Sequence, residues 1–294
     1  MKKVAVIGTG TMGNGIAHVL AINNYQVNLV GTSIDKVDKA IGLISKNIER
    51  QVKKELISPE DKLTSLSNIV KFVSLADAVQ GVDMVIEAIT EDKKQKVELF
   101  TKLGEYCGEE IVLASNTSSI SLTEIASKVK FPERVIGVHF MNPVPVMKLV
   151  EIITGKLTNE NTKEAALGLC TSLSKEPVLV NDAPGFIANR ILMPMINEAI
   201  LSLEEGVSGV VEIDTIMKLG MSHPIGPLQL ADLIGLDVCY SILNVMCEGL
   251  GNKYKPCDLL KSLVESKTLG VKTGQGFYVH TKGSKELVVA PRFL

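Results

Sequence analysis

Val4-Ala5-Val6-Ile7-Gly8-Thr9-Gly10-Thr11-Met12-Gly13 is the stretch that decides the fold. A short β-branched, apolar run passes straight into G-x-G-x-x-G, and residues 13–22 then read as a helix. Gly8 permits the tight turn, Gly10 lets the backbone approach a pyrophosphate, and Gly13 allows close helix–strand packing. The N–H groups of Thr11, Met12 and Gly13 at the helix start, together with its dipole, suit a phosphate. The competing reading is a glycine turn in an ordinary α/β fold. The position between a strand and a helix favours dinucleotide binding.

Outward from this loop, the first half alternates β-rich runs with helical patterns, the signature of a parallel sheet wrapped by helices. Strands are expected over 3–8, 26–30, 84–88, 111–114, 135–140 and 147–154. Ile34, Val37, Ile41, Ile44, Ile48 and Val52 recur three or four apart and predict one long helix over 34–54. Its other face carries Lys36, Lys39, Lys46, Arg50, Lys53 and Lys54, a pattern that usually marks a solvated surface. From Pro184 the character changes. Residues 186–203 are apolar nearly all round and predict a buried helix, and helical patterns follow at 212–219, 227–247 and 259–266. A β-run of comparable strength returns only at 276–280. The expected fold class is α/β: a Rossmann-type doubly wound domain over 1–183 and a mainly α-helical domain over 184–294.

Composition narrows the function. The 294 residues are 46% hydrophobic and 22% charged, with net charge −2, so disorder is excluded and no global field attracts nucleic acid. With no Trp, five Tyr and seven Phe, a base-stacking platform is also disfavoured. The five cysteines are scattered, without the spacing of a metal site, and read as thiols in a reducing compartment. The apolar run after Lys2-Lys3 ends at Gly8, too short for a signal peptide, and no run reaches the ~20 residues needed to cross a bilayer. A cytoplasmic protein without metal, membrane or nucleic-acid partner is expected.

The second strand refines the cofactor. NAD-binding units usually place Asp or Glu at its end to hold the adenosine ribose. Here Val30 is followed by Gly31, Thr32 and Ser33, and no carboxylate appears before Asp35. A carboxylate at 31 would repel a 2′-phosphate ~4 Å away by several kcal/mol at an effective dielectric near ~20. Gly31 removes that repulsion, Thr32 and Ser33 can donate hydrogen bonds, and Lys36 adds charge. NADP is therefore expected over NAD, although no Arg stands at 32 or 33.

Of the four histidines, His18 lies in the first helix and reads as structural, His223 precedes a proline, and His280 is near the tail. His139 closes a strand, where the ligand crevice of such sheets lies. Around it run Ser115-Asn116-Thr117-Ser118-Ser119, His139-Phe140-Met141-Asn142-Pro143 and Val146-Met147-Lys148-Leu149-Val150-Glu151. Further on come Pro184-Gly185-Phe186-Ile187-Ala188-Asn189-Arg190 and Met217-Lys218-Leu219-Gly220. His223-Pro224-Ile225-Gly226-Pro227 and Thr273-Gly274-Gln275-Gly276-Phe277-Tyr278 complete the set. In sequence and order these motifs resemble the 3-hydroxyacyl-CoA dehydrogenase family, nearest its short-chain 3-hydroxybutyryl-CoA branch.

The resemblance implies hydride exchange between a nicotinamide dinucleotide and C3 of an acyl-CoA, with His139 as general acid/base oriented by Glu151. It implies that Ser118 and Asn189 hold the reacting oxygen, and that Glu91 and Lys96 lie near the nicotinamide ribose. Asn116 and Asn142 are implied on the cofactor side. Lys54, aided by Lys53 and Asn47, is implied for the CoA phosphates, and a homodimer through the second domain is implied as well. Other readings stay open at this point: Ser118 and Ser119 as helix caps, Asn189 as a backbone-satisfying group, Glu151 as a surface partner of Lys148 or Lys156, and Glu91 with Lys96 as an exposed ion pair. A related hydroxy-acid dehydrogenase of the same fold and a non-catalytic dinucleotide-binding protein are the alternative functions. Residues 281–294 run past the family's usual end without a motif.

Overall fold

A computed structural model describes residues 2–284 and 286–294. They form two compact units, 1–183 and 184–294. In the first, the strands are β1 (Lys3–Ile7), β2 (Gln26–Val30), β3 (Ile69–Phe72), β4 (Met84–Glu87), β5 (Val112–Ser115), β6 (Val135–Phe140), β7 (Leu149–Thr154) and β8 (Glu176–Asn181). They make one sheet in the order β3-β2-β1-β4-β5-β6-β7-β8. The first six positions have the Rossmann order 3-2-1-4-5-6, which opens a crevice at the carboxyl ends of β1 and β4. All neighbours are parallel except β6 and β7, which run antiparallel.

The helices of this unit are α1 (Thr11–Ile22), α2 (Ile34–Val52), α3 (Pro59–Ser67), α4 (Leu75–Ala78), α5 (Lys93–Tyr106), α6 (Leu122–Ala126) and α7 (Glu160–Ser172). Strand side chains from both faces of the central strands are buried, so β1, β4 and β6 are apolar almost throughout. Strands β3 and β8 escape the sequence pattern for a physical reason. Both lie at sheet edges; β3 is four residues long, and β8 holds Pro177, tolerated where no inner ladder is required. α2 begins at Ser33, whose hydroxyl accepts from Lys36 N–H, and buries Val37, Ala40, Ile44 and Ile48. It stops at Val52 rather than 54. Lys54 N–H and Leu56 N–H both turn back to Gln51 O, with Glu55 at φ +58°. This left-handed termination sets Lys53 and Lys54 in the turn after the helix.

The second unit contains α8 (Ala188–Glu204), α9 (Val210–Gly220), α10 (Pro227–Ile234), α11 (Leu236–Leu250) and α12 (Asp258–Glu265), then the strands β9 (Tyr278–Val279) and β10 (Val288–Val289). Its core gathers Met193, Ile196, Ile200, Leu228, Leu236, Leu243, Met246, Leu260, Leu263 and Phe277. Two expectations change here. The helix over 186–203 is buried on one face only, since Ile187 and Ile191 are exposed. The single helix over 227–247 is instead two, bent by 96° at Gly235, whose φ is +102°. Among the described residues no single helix is long and apolar enough to cross a membrane.

The segment after residue 280 also has a place. β10 pairs with β9, Ala290 N–H bonds Phe277 O, and the Phe293 ring lies 5.5 Å from that of Phe277. Apart from Lys285, which lies outside the described residues, this tail covers the edge of the second core.

Candidate functional site

The glycine loop has the form that phosphate binding needs. Gly8 sits at φ +121°, and a Cβ there would meet Ala88 O at 2.3 Å; one at Gly13 would meet Gly8 O at 2.0 Å. The turn therefore closes only with glycine at both positions. A Cβ at Gly10 meets nothing within 4 Å, which leaves an open approach. Gly10 is the N-cap of α1 and offers no side-chain cap, and no acidic residue stands in the first turn beside Thr11 and Met12. The N–H groups of that turn have no intrahelical partners, so a nucleotide pyrophosphate fits this cradle.

His139 and Glu151 face each other directly across the antiparallel pair β6/β7. Opposed residues share one face of a sheet, with side chains within reach. His139 Nδ1 lies 2.8 Å from Glu151 Oε2, and the residues are only 8% and 3% exposed. Glu151 is thus not a surface residue. With Nδ1–H donated to the carboxylate, acid–base chemistry falls to Nε2. Asn116 Oδ1 accepts Phe140 N–H at 2.9 Å and so braces the residue beside His139.

A second cluster lies at the ends of β4 and β5. Glu91 Oε1 accepts from Thr117 Oγ1 (2.6 Å), Ser118 N–H (2.9 Å), Ser118 Oγ (3.3 Å), Ser119 N–H (3.1 Å) and Ser119 Oγ (3.0 Å). Its Oε2 lies 3.2 Å from Lys96 Nζ. Burial opposes ionisation of Glu91, but the Lys96 ammonium and the Thr117 and Ser118 donors outweigh it and hold the carboxyl below its usual range. Lys96 is 1% exposed and also pairs with Glu87, so the pair with Glu91 is exposed on its Glu91 side alone. The capping reading fails too, because α6 is capped by Ser121, whose hydroxyl accepts Glu124 N–H. Glu87, Ser115 and Thr117 were not singled out from the sequence, and Ser119 only as a cap. The available signal was a carboxylate ending the apolar run Met84-Val85-Ile86.

Gly31 is packed tightly: a Cβ would meet Val37 Cγ2 at 2.7 Å and Thr9 Cγ2 at 3.0 Å. Thr32 is exposed and Ser33 half-buried, and Lys36 Nζ donates to Thr32 Oγ1 at 2.9 Å. Asn142 is exposed. Asn47 Oδ1 accepts from Arg50 at 3.4 Å, and Lys53 lies 3.9 Å from Glu49, at the α2 end that carries Lys54. Asn189 belongs to the second unit and is buried on α8. His18 is buried and bonds Gln51 through Nε2 at 3.0 Å; burial lowers its basicity. His280 is held by the buried Asp232 at 2.8 Å.

The matches to known proteins follow the same division. Residues 3–183 match the model of the 3-hydroxyacyl-CoA dehydrogenase NAD binding domain, and residues 185–280 match that family's C-terminal domain. A 3-hydroxybutyryl-CoA dehydrogenase of Bradyrhizobium diazoefficiens is 48% identical over 97% of this chain and 97% of its own. That of Clostridioides difficile is 46% identical over 95% of this chain and its full length. The crystal structure of the (S)-3-hydroxybutyryl-CoA dehydrogenase of Ralstonia eutropha superposes with a TM-score of 0.92 at 43% identity, covering 96% of this chain and all of the other. A glycine cradle fit for a nicotinamide dinucleotide, a buried His–Glu pair and two matched domains make this chain a member of the 3-hydroxyacyl-CoA dehydrogenase family.

Proposed function

We propose that the chain interconverts 3-hydroxybutyryl-CoA and acetoacetyl-CoA. The observation that carries the reading is the buried His139–Glu151 pair at 2.8 Å on a sheet whose glycine loop fits a dinucleotide. When bound, the dinucleotide supplies the hydride acceptor for oxidation and the donor for reduction. His139 takes the 3-hydroxyl proton in oxidation and returns it in reduction. Glu151 remains a carboxylate, fixes the imidazole tautomer and stabilises the imidazolium. Ser118 hydrogen-bonds the reacting oxygen; its 3.3 Å bond to Glu91 is long and exchanges at little cost. Asn189 bonds the substrate carbonyl, Lys54 with Lys53 and Asn47 receives the CoA phosphates, and Glu91 and Lys96 border the nicotinamide ribose, with Asn116 and Asn142 on the cofactor side.

The cofactor preference is NADP over NAD. No carboxylate stands at the end of β2, a Cβ at Gly31 would press on Val37 and Thr9, and Lys36 with Thr32 forms a donor pair beside it. The protein associates as a homodimer through the second unit, where Ile191 (68%), Leu219 (80%) and Met221 (60%) expose large apolar side chains. Its place is the cytoplasm, in keeping with five free cysteines, among them Cys170 and Cys239, whose thiols burial pushes up to about 12.

Initial rates on acetoacetyl-CoA with NADPH and with NADH test substrate and cofactor together. Turnover of free acetoacetate in place of the thioester would favour a sibling hydroxy-acid dehydrogenase. His139→Ala is expected to abolish turnover while leaving dinucleotide binding, and unchanged turnover would reject the mechanism. Light scattering that finds only single chains would reject the dimer.

A further inference from the structure

Glu87 closes β4 with no solvent exposure. Its Oε1 accepts from Lys96 Nζ at 2.5 Å and from Ile89 N–H at 2.7 Å, and its Oε2 accepts from Ser115 Oγ at 2.6 Å. A buried ion pair is a weak source of stability, because desolvation of both ions offsets their attraction. An apolar residue would fill the end of β4 at least as well. What the pair does is geometric. Lys96 has a carboxylate on each side, Glu87 at 2.5 Å and Glu91 at 3.2 Å. Anchored on Glu87, the ammonium meets Glu91 at Oε2. Glu91 Oε1 is then left to gather the hydroxyl and N–H groups of Thr117, Ser118 and Ser119.

We propose that Glu87 is a positioning residue for the reaction, acting through Lys96 and Glu91 to fix the Ser118 turn. The inference rests on the reading above that Ser118 bonds the reacting oxygen. Without the Glu87 charge, Lys96 closes on Glu91, turns that carboxylate, and pulls Oε1 away from the 117–119 donors. Ser115 supports the same arrangement from the neighbouring strand. Its hydroxyl donates to Glu87 and accepts Thr117 N–H at 3.2 Å.

Glu87→Gln in the full-length protein tests this, since it keeps the side-chain shape and removes the charge. The expected result is a kcat on acetoacetyl-CoA lower by about ten- to hundredfold, the effect of misplacing a reacting partner by a fraction of an ångström to an ångström. The melting temperature falls as well, because a buried ammonium loses one of its two carboxylates, so the deciding readout is kcat per folded molecule. A purely structural role predicts the lower melting temperature alone, with kcat retained in the folded fraction. Ser115→Ala leaves both charges in place but releases Oε2, and a smaller loss of kcat is expected. If Glu87→Gln does not fold, Ser115→Ala with wild-type kcat overturns the proposal, as does a folded Glu87→Gln with wild-type kcat. A wild-type protein inactive on acetoacetyl-CoA overturns instead the reading on which the proposal rests.

Discussion

Glu151→Gln perturbs the proposed proton-transfer unit at the atom that holds it. Nδ1 and Oε2 are 2.8 Å apart, which sets the imidazolium and carboxylate charge centres about 4 Å apart. At an effective dielectric near ~20 their attraction is about 4 kcal/mol. Both residues are buried, so solvent screens little of it. The glutamine keeps the length of the side chain and can still accept Nδ1–H, restoring about 1 kcal/mol as a neutral hydrogen bond. The net loss of about 3 kcal/mol bears on the step in which the imidazolium forms, and corresponds to about two decades in rate. The assay is the initial rate of reduced-nicotinamide consumption with saturating acetoacetyl-CoA, beside a thermal melt and a dinucleotide titration. A kcat lower by about a hundredfold, with an intact melt and unchanged dinucleotide binding, is expected. A well-folded variant within about threefold of wild type, under 1 kcal/mol by the same conversion, would refute the assignment of Glu151.

Gly31→Asp should shift the ratio of kcat/KM toward NADH, and should lower stability by about 1–3 kcal/mol because its Cβ would press on Val37 and Thr9; paired kinetics and melts measure both. Glu91 has a folded-state pKa below its unfolded one, so its stabilising contribution is complete above about pH 4.3 and is lost as pH falls through the lowered value. Melts from neutral to acid pH should therefore fall more steeply for wild type than for Glu91→Gln, and parallel curves would contradict this. Gly276→Ala would put a Cβ 1.8 Å from Asp232 Oδ1, on the carboxylate that receives Phe277 and Tyr278 N–H. A loss of more than about 3 kcal/mol in denaturant unfolding is expected, and a wild-type midpoint would argue against it.

The legible parts of this chain were those where a residue type is forced by backbone geometry or by position on a face. Gly8 and Gly13 admit no Cβ, so the loop is written directly into the sequence. The buried stripe Val37, Ala40, Ile44 and Ile48 likewise recurs at the helical period. Tertiary choices were hidden. Lys96 reads as a surface helix residue because its burial depends on Glu87, nine positions away on another element. The bend at Gly235 interrupts apolar periodicity that continues on both sides, so spacing alone joins α10 to α11. Ser118, Ser119 and Ser121 are equally good caps by type, and only the position of Glu91 draws the first two away from α6.

The pairing of His139 with Glu151 shows why the sheet reverses at β7. A wholly parallel sheet would need a crossover of a dozen or more residues before the next strand could lie beside β6. The antiparallel return brings Glu151 next to the ligand-facing end of β6 after a short connection, residues 141–148. The register runs Gly137–Ile153, Val138–Ile152, His139–Glu151, Phe140–Val150. Side chains alternate faces, so a slip of one residue would turn Glu151 to the opposite face of the sheet. A slip of two would restore the face but displace the carboxylate by about 7 Å along the strand. On the proposed mechanism, the length of 141–148 governs catalysis more tightly than it governs folding. Removing one residue there should abolish turnover even in protein that still folds and still binds the dinucleotide through the β1–α1 loop.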